Sequence, residues 1–598
     1  MTDIFNAYAA ITPSSPRNEV STVFNIIINA LPFSFDKTSR IELIKAILTD
    51  LKGYGPKSKL NSKDVTLALS SVKTLGKDPA GSEYLSLPAN LSILLGFTTT
   101  FKDDPEASSE ALRCIANALL LIEQARSTFI SKEINGGDTC ILLLEKSTSP
   151  DHVFILSRIL FLATASGSAY IQTMVESKHH GRTLVEILGN KLDLMGTALR
   201  NGTRTAKEAA TDLLKFIFNV LVHYPKLSEA QPQHSQARGD DKIIGDFWDS
   251  RLDGILAPLL RTFHNLPLSS PTPIAAPLTH VIHALITIPI TPSLKPIWFG
   301  QSSGSARNSA GTSPKSRTPQ PSDSSPGSRS DSPVPSNPSP TSPKPSTLDR
   351  ALSVLAAGRR SLSRTPSPSA GVSLDVLQRA YDLLDTTFAH YFPGDVDPDD
   401  LELRQKVKAE TSDSLDDMLS PLIVLISRFC IGDEGCKIRV RQWIVPDDLD
   451  RTSPLEQRSD ILGRCLRLLS SVYHPRLKDA VGEMLYAAAD SDASTLSSLV
   501  GYGNVAGFLF HKGVLSAPQP SSSSGSGPSL TTPAGQDINP ITGTTFQPKP
   551  ATPEMTDEEK EREMEKLFVL FDRLEKTGAL PPDQNPMRKA IQQGKLGN

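Results

Sequence analysis

The chain has 598 residues, a formal net charge of −3 and a pI near 6.4, so no global basic field exists to hold nucleic acid or an anionic membrane. Its five cysteines (Cys114, Cys140, Cys430, Cys436 and Cys465) are odd in number and set in apolar runs, the usage of buried thiols in a reducing compartment. The start, Met1-Thr2-Asp3-Ile4, lacks the basic and apolar regions of a signal peptide, and apolar stretches such as Ala116 to Ile122 fall far short of the ~20 residues of a transmembrane helix. A soluble cytoplasmic protein is expected.

Residues 1–299 read as helices joined by short polar turns. Ser39 to Leu51 places Ile41, Ile44, Ala46, Ile47, Leu48 and Leu51 at helical spacing and stops at Gly53. Glu110 to Arg126, His152 to Ala165 and Lys207 to His223 repeat the pattern. Almost nothing alternates for long enough to make a convincing strand. Within these helices one frame returns: Phe24-Asn25-Ile26, Val72-Lys73-Thr74-Leu75, Ile115-Ala116-Asn117-Ala118-Leu119, Leu160-Phe161-Leu162, Ile217-Phe218-Asn219-Val220-Leu221 and Val281-Ile282-His283-Ala284-Leu285. Positions 25, 73, 117 and 161 are 48, 44 and 44 residues apart, and gaps of 58 and 64 follow, each with a loop to absorb the excess. A period in the low forties is that of armadillo and HEAT repeats, whose last helices line a continuous concave face. The predicted fold class is all-α, an armadillo/HEAT-type right-handed superhelical solenoid.

Between 300 and 372 the pattern fails. Ser and Pro make up more than half of 301–346, which cannot bury enough apolar surface to fold and is expected to be a disordered insertion. Ser313, Ser325, Ser332, Ser339 and Ser342 each precede a proline and are candidate phosphorylation sites, as is Ser363 after Arg359-Arg360. A merely tolerated surface insert explains them equally well. Helices resume over 373–515, with Leu377, Tyr381, Leu384 and Phe388, then Pro421–Cys430, Ile461–Tyr473, Lys478–Ala489 and Leu496–His511. A Ser/Gly/Pro-rich stretch at 516–553 reads as a flexible linker. The closing helix at 554–578 opens on the capping box Thr556-Asp557-Glu558-Glu559, carries Met564, Leu567, Phe568, Phe571 and Leu574 as one stripe, and stops at Gly578, leaving 579–598 as a disordered tail. The stripe either caps the last repeat or docks in a partner's groove, and the residues alone leave both open.

Catalytic motifs are missing: no P-loop, HExxH, GxSxG or paired CxxC is present. Gly501-Tyr502-Gly503-Asn504-Val505-Ala506-Gly507 follows a helix where a dinucleotide fingerprint would follow a strand, so its glycines fit a turn or a close helix contact. His179-His180 is an isolated pair expected in an exposed loop, and Cys430 and Cys436 have no second pair to complete a zinc site. No cofactor is called for. The recurring frame suggests another kind of site. Lys73, Asn117, Phe161, Asn219 and His283 occupy its centre, where an amide could donate to and accept from a bound backbone. For any one asparagine, capping an inter-repeat turn or satisfying a neighbouring carbonyl is the better expectation; the row as a whole, in register inside apolar helices, points to a groove. An importer-like adaptor would pair each Trp with an Asn four places on, and Trp248, Trp298 and Trp443 do not.

Four blocks resemble the synembryn family, the resistance-to-inhibitors-of-cholinesterase proteins. They are Leu499 to Leu509 with Lys512-Gly513-Val514-Leu515, Glu110 to Asn117, Arg158 to Ala165, and Asn539-Pro540-Ile541-Thr542-Gly543 followed by Met555–Leu574. The resemblance implies a guanine nucleotide exchange factor and folding chaperone for heterotrimeric G-protein α subunits, which needs no catalytic side chain. It implies that the concave face grips the α subunit's C-terminal helix while the terminal helix reaches its switch region. A monomer drawn to the cell cortex by the G protein would follow, and a peptide-binding adaptor or scaffold without exchange activity is the alternative. The Ser/Pro insertion departs from the animal members. So does the absence of acidic residues three places after Ser521 to Ser524, which argues against their casein-kinase regulation here.

Overall fold

The computed structural model describes residues 2–31, 34–228, 248–300, 375–514 and 536–545. The expected insertion beyond residue 300 with its candidate phosphorylation serines, and the expected helix at 554–578 with Met564, Leu567, Phe568, Phe571 and Leu574, lie outside the described residues.

Short polar residues set where helices begin. Asp36, Asp78, Asp104, Asp433, Asp460 and Asp492 each accept a hydrogen bond from a first-turn backbone N–H, while Asn61 and Thr183 form reciprocal capping boxes with Asp64 and Glu186. Prolines at 79, 88, 105, 150 and 475 occupy first-turn positions, where the missing N–H costs nothing.

The helices carrying the recurring frame stack in chain order. Arg17–Ile28 packs on Ser62–Leu75, which packs on Pro105–Leu121, followed by Pro150–Thr164, Ala206–Ser228 and Leu278–Leu285. Phe24, Val72, Ile115, Leu160, Ile217 and Ile282 are all buried, so the recurring apolar residues are the seam between units. Each is worth about 1.5–3 kcal/mol in burial, which explains why the period survives changes in the loops. A second layer (Lys37–Lys52, Pro88–Thr100, Gly136–Lys146, Leu184–Arg200 and Leu256–Asn265) covers the other side, giving an all-α solenoid.

The stack continues across the insertion. Leu278–Leu285 packs on Leu415–Gly432, which packs on Pro475–Ala488. Trp298 and Phe299 meet Phe429 edge-on at ring distances of 5.3 and 5.6 Å, and Arg379 Nη2 donates to Leu266 O at 2.7 Å.

Several local expectations need correction. The run Glu110 to Arg126 is two helices, broken at Ile122, whose extended backbone (φ −118°, ψ 106°) separates Pro105–Leu121 from Glu123–Phe129. The helix expected from Pro421 begins at Leu415, because Ser414 accepts from Asp417 N and Asp416 and Asp417 suit the positive helix end. A small antiparallel ribbon pairs Lys178–His179 with Arg182–Thr183, too short to show as alternation; His180 (φ 50°) and Gly181 (φ 84°) supply the two positive φ angles its tight turn requires. His179 is therefore buried, with Nε2 hydrogen-bonded to Met174 O at 3.0 Å, and only His180 faces outward, against Glu145. The span 516–553 is not one uninterrupted linker: residues 536–545 are a turn packed on the last repeat.

Candidate partner-binding site

The five frame-centre residues fall on consecutive helices of the stack, and most of their polar atoms are engaged there. Asn117 Nδ2 donates to Lys73 O at 3.2 Å. Buried Asn219 donates to Phe161 O at 3.0 Å and to Thr164 Oγ1 at 3.1 Å. Lys73 Nζ pairs with Glu110, which also pairs with Arg113 at 3.0 Å, and Arg113 reaches Asp151 on the next helix at 2.5 Å. The series resumes as Arg158 to Asp212 at 2.7 Å and Lys215 to Asp212 at 3.6 Å. Apart from Arg113–Glu110 and Lys215–Asp212, which lie within one helix, these contacts span one repeat each and tie neighbouring units together.

Beside this polar ladder runs a row of apolar and aromatic side chains that sequence reasoning had not picked out as a group. Leu120 and Leu121 follow Asn117 by three and four residues and are exposed. Phe154, Arg158 and half-buried Phe161 share a face of the next helix, with the Arg158 guanidinium 4.8 Å from the Phe154 ring centre. Lys215 sits 5.9 Å from the Phe161 ring, and Phe218 lies 6.1 Å from the His283 ring, which lies 6.1 Å from His280. Past the insertion, Val424 and Ile431 on Leu415–Gly432 are also exposed, Ile431 at 71 %. The signal that could have found the row is the i, i+3, i+4, i+7 spacing of large residues on the frame's outer side. Such a face can take up an amphipathic helix.

His280 and His283 are both held toward the neutral form. Burial pushes His280 down to about 4, helped by Lys215 and His283, and burial lowers His283 against the pull of Asp417 and Asp413.

The other notable site joins the two glycine-containing blocks. Gly501 (φ 86°) turns the chain between Ala493–Val500 and Tyr502–His511. The first two N–H groups of the second helix donate to the turn 536–545: Tyr502 N to Pro540 O and Gly503 N to Ile541 O, both at 2.8 Å. Arg451, only 8 % exposed, donates Nη1 to Gly543 O at 2.7 Å and Nη2 to Leu499 O at 2.9 Å, while its own carbonyl accepts from Thr545 N at 2.9 Å. A Cβ on Gly501 would stand 2.5 Å from Gly543 N, and one on Gly543 (φ 72°) would stand 2.8 Å from Val500 O. The glycines thus permit a turn and a close approach, the approach being by the chain's own downstream segment.

Among the described residues, no group of three or more His, Cys, Asp or Glu side chains could hold a metal ion. All five cysteines are buried, and burial pushes the thiols of Cys140, Cys430 and Cys465 up to about 12 and those of Cys114 and Cys436 upward as well, away from thiolate chemistry. No helix among the described residues is long and apolar enough to cross a membrane.

A family model described as the guanine nucleotide exchange factor synembryn matches residues 68–595. The chain is 29% identical over 204 residues to a synembryn-like chaperone of Schizosaccharomyces pombe, covering 32% of this chain and 37% of the relative. It is 27% identical over 189 residues to the chaperone Ric-8 of Drosophila pseudoobscura pseudoobscura, covering 30% and 33%. It is 26% identical over 173 residues to the chaperone Ric-8A of Xenopus laevis, covering 28% and 32%. The matched part spans about a third of the length of these curated relatives. A solved engineered protein aligns over 87% of this chain and 92% of its own at 11% identity with a TM-score of 0.39, too loose a likeness to carry any argument. The family match spans both halves of the solenoid and the turn at 536–545, and the chain belongs to the synembryn family of guanine nucleotide exchange factors.

Proposed function

We propose that this chain is a guanine nucleotide exchange factor and folding chaperone for a heterotrimeric G-protein α subunit, working by binding alone. The observation that carries the reading is the family match over 68–595. The mixed apolar, aromatic and cationic face from Leu120 to Ile431 supplies a means: an amphipathic helix of the α subunit, its C-terminal one in this reading, lies across consecutive repeats. Leu120, Phe161, Phe218, His283 and Ile431 make the apolar contact, and Lys73, Arg158 and Lys215 sit at its rim. The asparagines serve chiefly to hold the repeats in register, so the contact rests on their neighbours.

Exchange then follows from linkage. A protein that binds the empty α subunit more tightly than its GDP form must weaken GDP affinity by the same ratio. The segment carrying Met564, Leu567, Phe568, Phe571 and Leu574 contacts the nucleotide domain near its switch region, and GTP binding releases the complex. The protein acts as a cytoplasmic monomer, drawn to the cell cortex through the G protein. Mixing it with a GDP-loaded α subunit and separating by size tests the reading. A one-to-one complex without nucleotide that falls apart on adding GTP supports it; failure to form one rejects it.

A further inference from the structure

The turn 536–545 has the construction of an anchor. Its backbone carbonyls accept from a helix N-terminus at Tyr502 and Gly503, where two N–H groups would otherwise have no intrahelical partner. The Arg451 guanidinium spans the gap between Gly543 O and Leu499 O, the latter in the last turn of Ala493–Val500, where a cation suits the negative helix end. Inside the turn, Gly543 N donates to Asn539 O and Asn539 N to Thr544 O, both at 2.8 Å, and Ile538 bridges Thr545. The fit is tight from both sides, since neither Gly501 nor Gly543 has room for a Cβ. An almost buried arginine held by main-chain carbonyls is costly in a surface loop, and here it joins two parts of the chain 92 residues apart.

We infer that Arg451, Gly501 and Gly543 pin the C-terminal segment to the end of the solenoid, and that Arg451 is a positioning residue for whatever that segment contacts. The consequence is a change of tether. From Val514 to Thr556, at the expected start of the terminal helix, the chain makes 42 residue steps; from Thr545 it makes 11. Fully extended, these reach about 150 Å and about 40 Å. A short leash fixes the terminal segment near the C-terminal end of the stack face and raises its effective concentration on a partner bound there. This rests on the proposed function for the identity of the partner, but the anchor itself does not.

Two insertions of 20 Gly/Ser residues in the full-length protein test it, one within 516–535 and one within 546–553. With the anchor in place, the upstream insertion leaves affinity for the α subunit unchanged and the downstream one weakens it about 5-fold, following the −3/2 power of leash length. Without an anchor both insertions weaken it equally, by about 2-fold. Arg451→Gln and Gly543→Val should make the two insertions equivalent, and Gly543→Val alters only the docked turn, so the repeats keep their fold. Equal effects in the unsubstituted protein, or no effect of either, would overturn the positioning role. Amide exchange on the partner-free protein separates this from failure of the functional reading: Tyr502, Gly503, Gly543 and Thr545 should be protected, and should lose protection in Gly543→Val. Rapid exchange of these amides in the unsubstituted protein would overturn the anchor whatever the partner proves to be.

Discussion

Asn117 donates its side-chain amide to the main-chain carbonyl of Lys73, 44 residues earlier, so two expected contact residues are bound to each other across one repeat. Asn219 does the same toward Phe161 and adds Thr164. A satisfied amide at a buried edge contributes about 0.5–1.5 kcal/mol, and without it Phe161 O keeps only the Thr164 hydroxyl at 3.2 Å. Asn219→Ala should therefore destabilise by roughly 0.5–1.5 kcal/mol in urea unfolding, and Asn117→Ala, at a half-buried site, by a similar amount or less. Unchanged stability together with a weakened α-subunit complex would mean that these amides face the partner.

The exposed row should behave in the opposite way. Leu120→Asp and Ile431→Asp alter side chains that already face water, so each should change stability by no more than about 0.5 kcal/mol. Their combined effect on α-subunit affinity should exceed tenfold in a titration by calorimetry. Normal affinity in the double variant would remove this face from the proposed interface.

The insertion can be tested by deletion. Because Leu278–Leu285 meets Leu415–Gly432 directly and Trp298 and Phe299 seat on Phe429, joining Phe299 to Thr347 through a short Gly/Ser bridge should preserve helical circular dichroism and Tm. A large loss of either would show that residues 301–346 support the stack.

Acid should loosen the middle of the solenoid. His280 is held near 4 by burial while an unfolded histidine titrates near 6.5, so the unfolded chain binds the proton first. The stabilisation from neutral His280 is present above pH about 6.5 and is lost as pH falls toward 4, amounting to up to roughly 3 kcal/mol. His280→Gln should flatten that part of the stability profile. An unchanged slope between pH 6.5 and 4 would show that His280 is protonated in the fold without cost.

How much of this was legible beforehand follows from what each signal encodes. The stack was legible because its seam needs a large apolar residue once per unit, and Phe24, Val72, Ile115, Leu160, Ile217 and Ile282 meet that need. The polar partner of each asparagine was not, since a backbone carbonyl 44 or 58 residues away leaves no mark on composition. The break at Ile122 escaped because nothing but backbone angles separates the two helices it divides. The meeting of Gly501 with Gly543 was hidden for the same reason: each glycine announces a turn, and only the folded chain shows that the turns share one space.

The terminal stripe gives a further prediction. Phe568→Asp with Phe571→Asp should abolish most exchange while leaving the Tm of the solenoid unmoved, since burying such side chains is worth about 1.5–3 kcal/mol each wherever they dock. A fall in Tm with a proportionate fall in exchange would instead make the segment a cap on the last repeat.

The most direct measurement of the central claim is the rate of GDP release from a purified G-protein α subunit with and without this protein. Release should accelerate with protein concentration and saturate, and the Phe568→Asp, Phe571→Asp variant should lose most of the effect. A release rate that stays at its unassisted value at saturating protein would contradict the account.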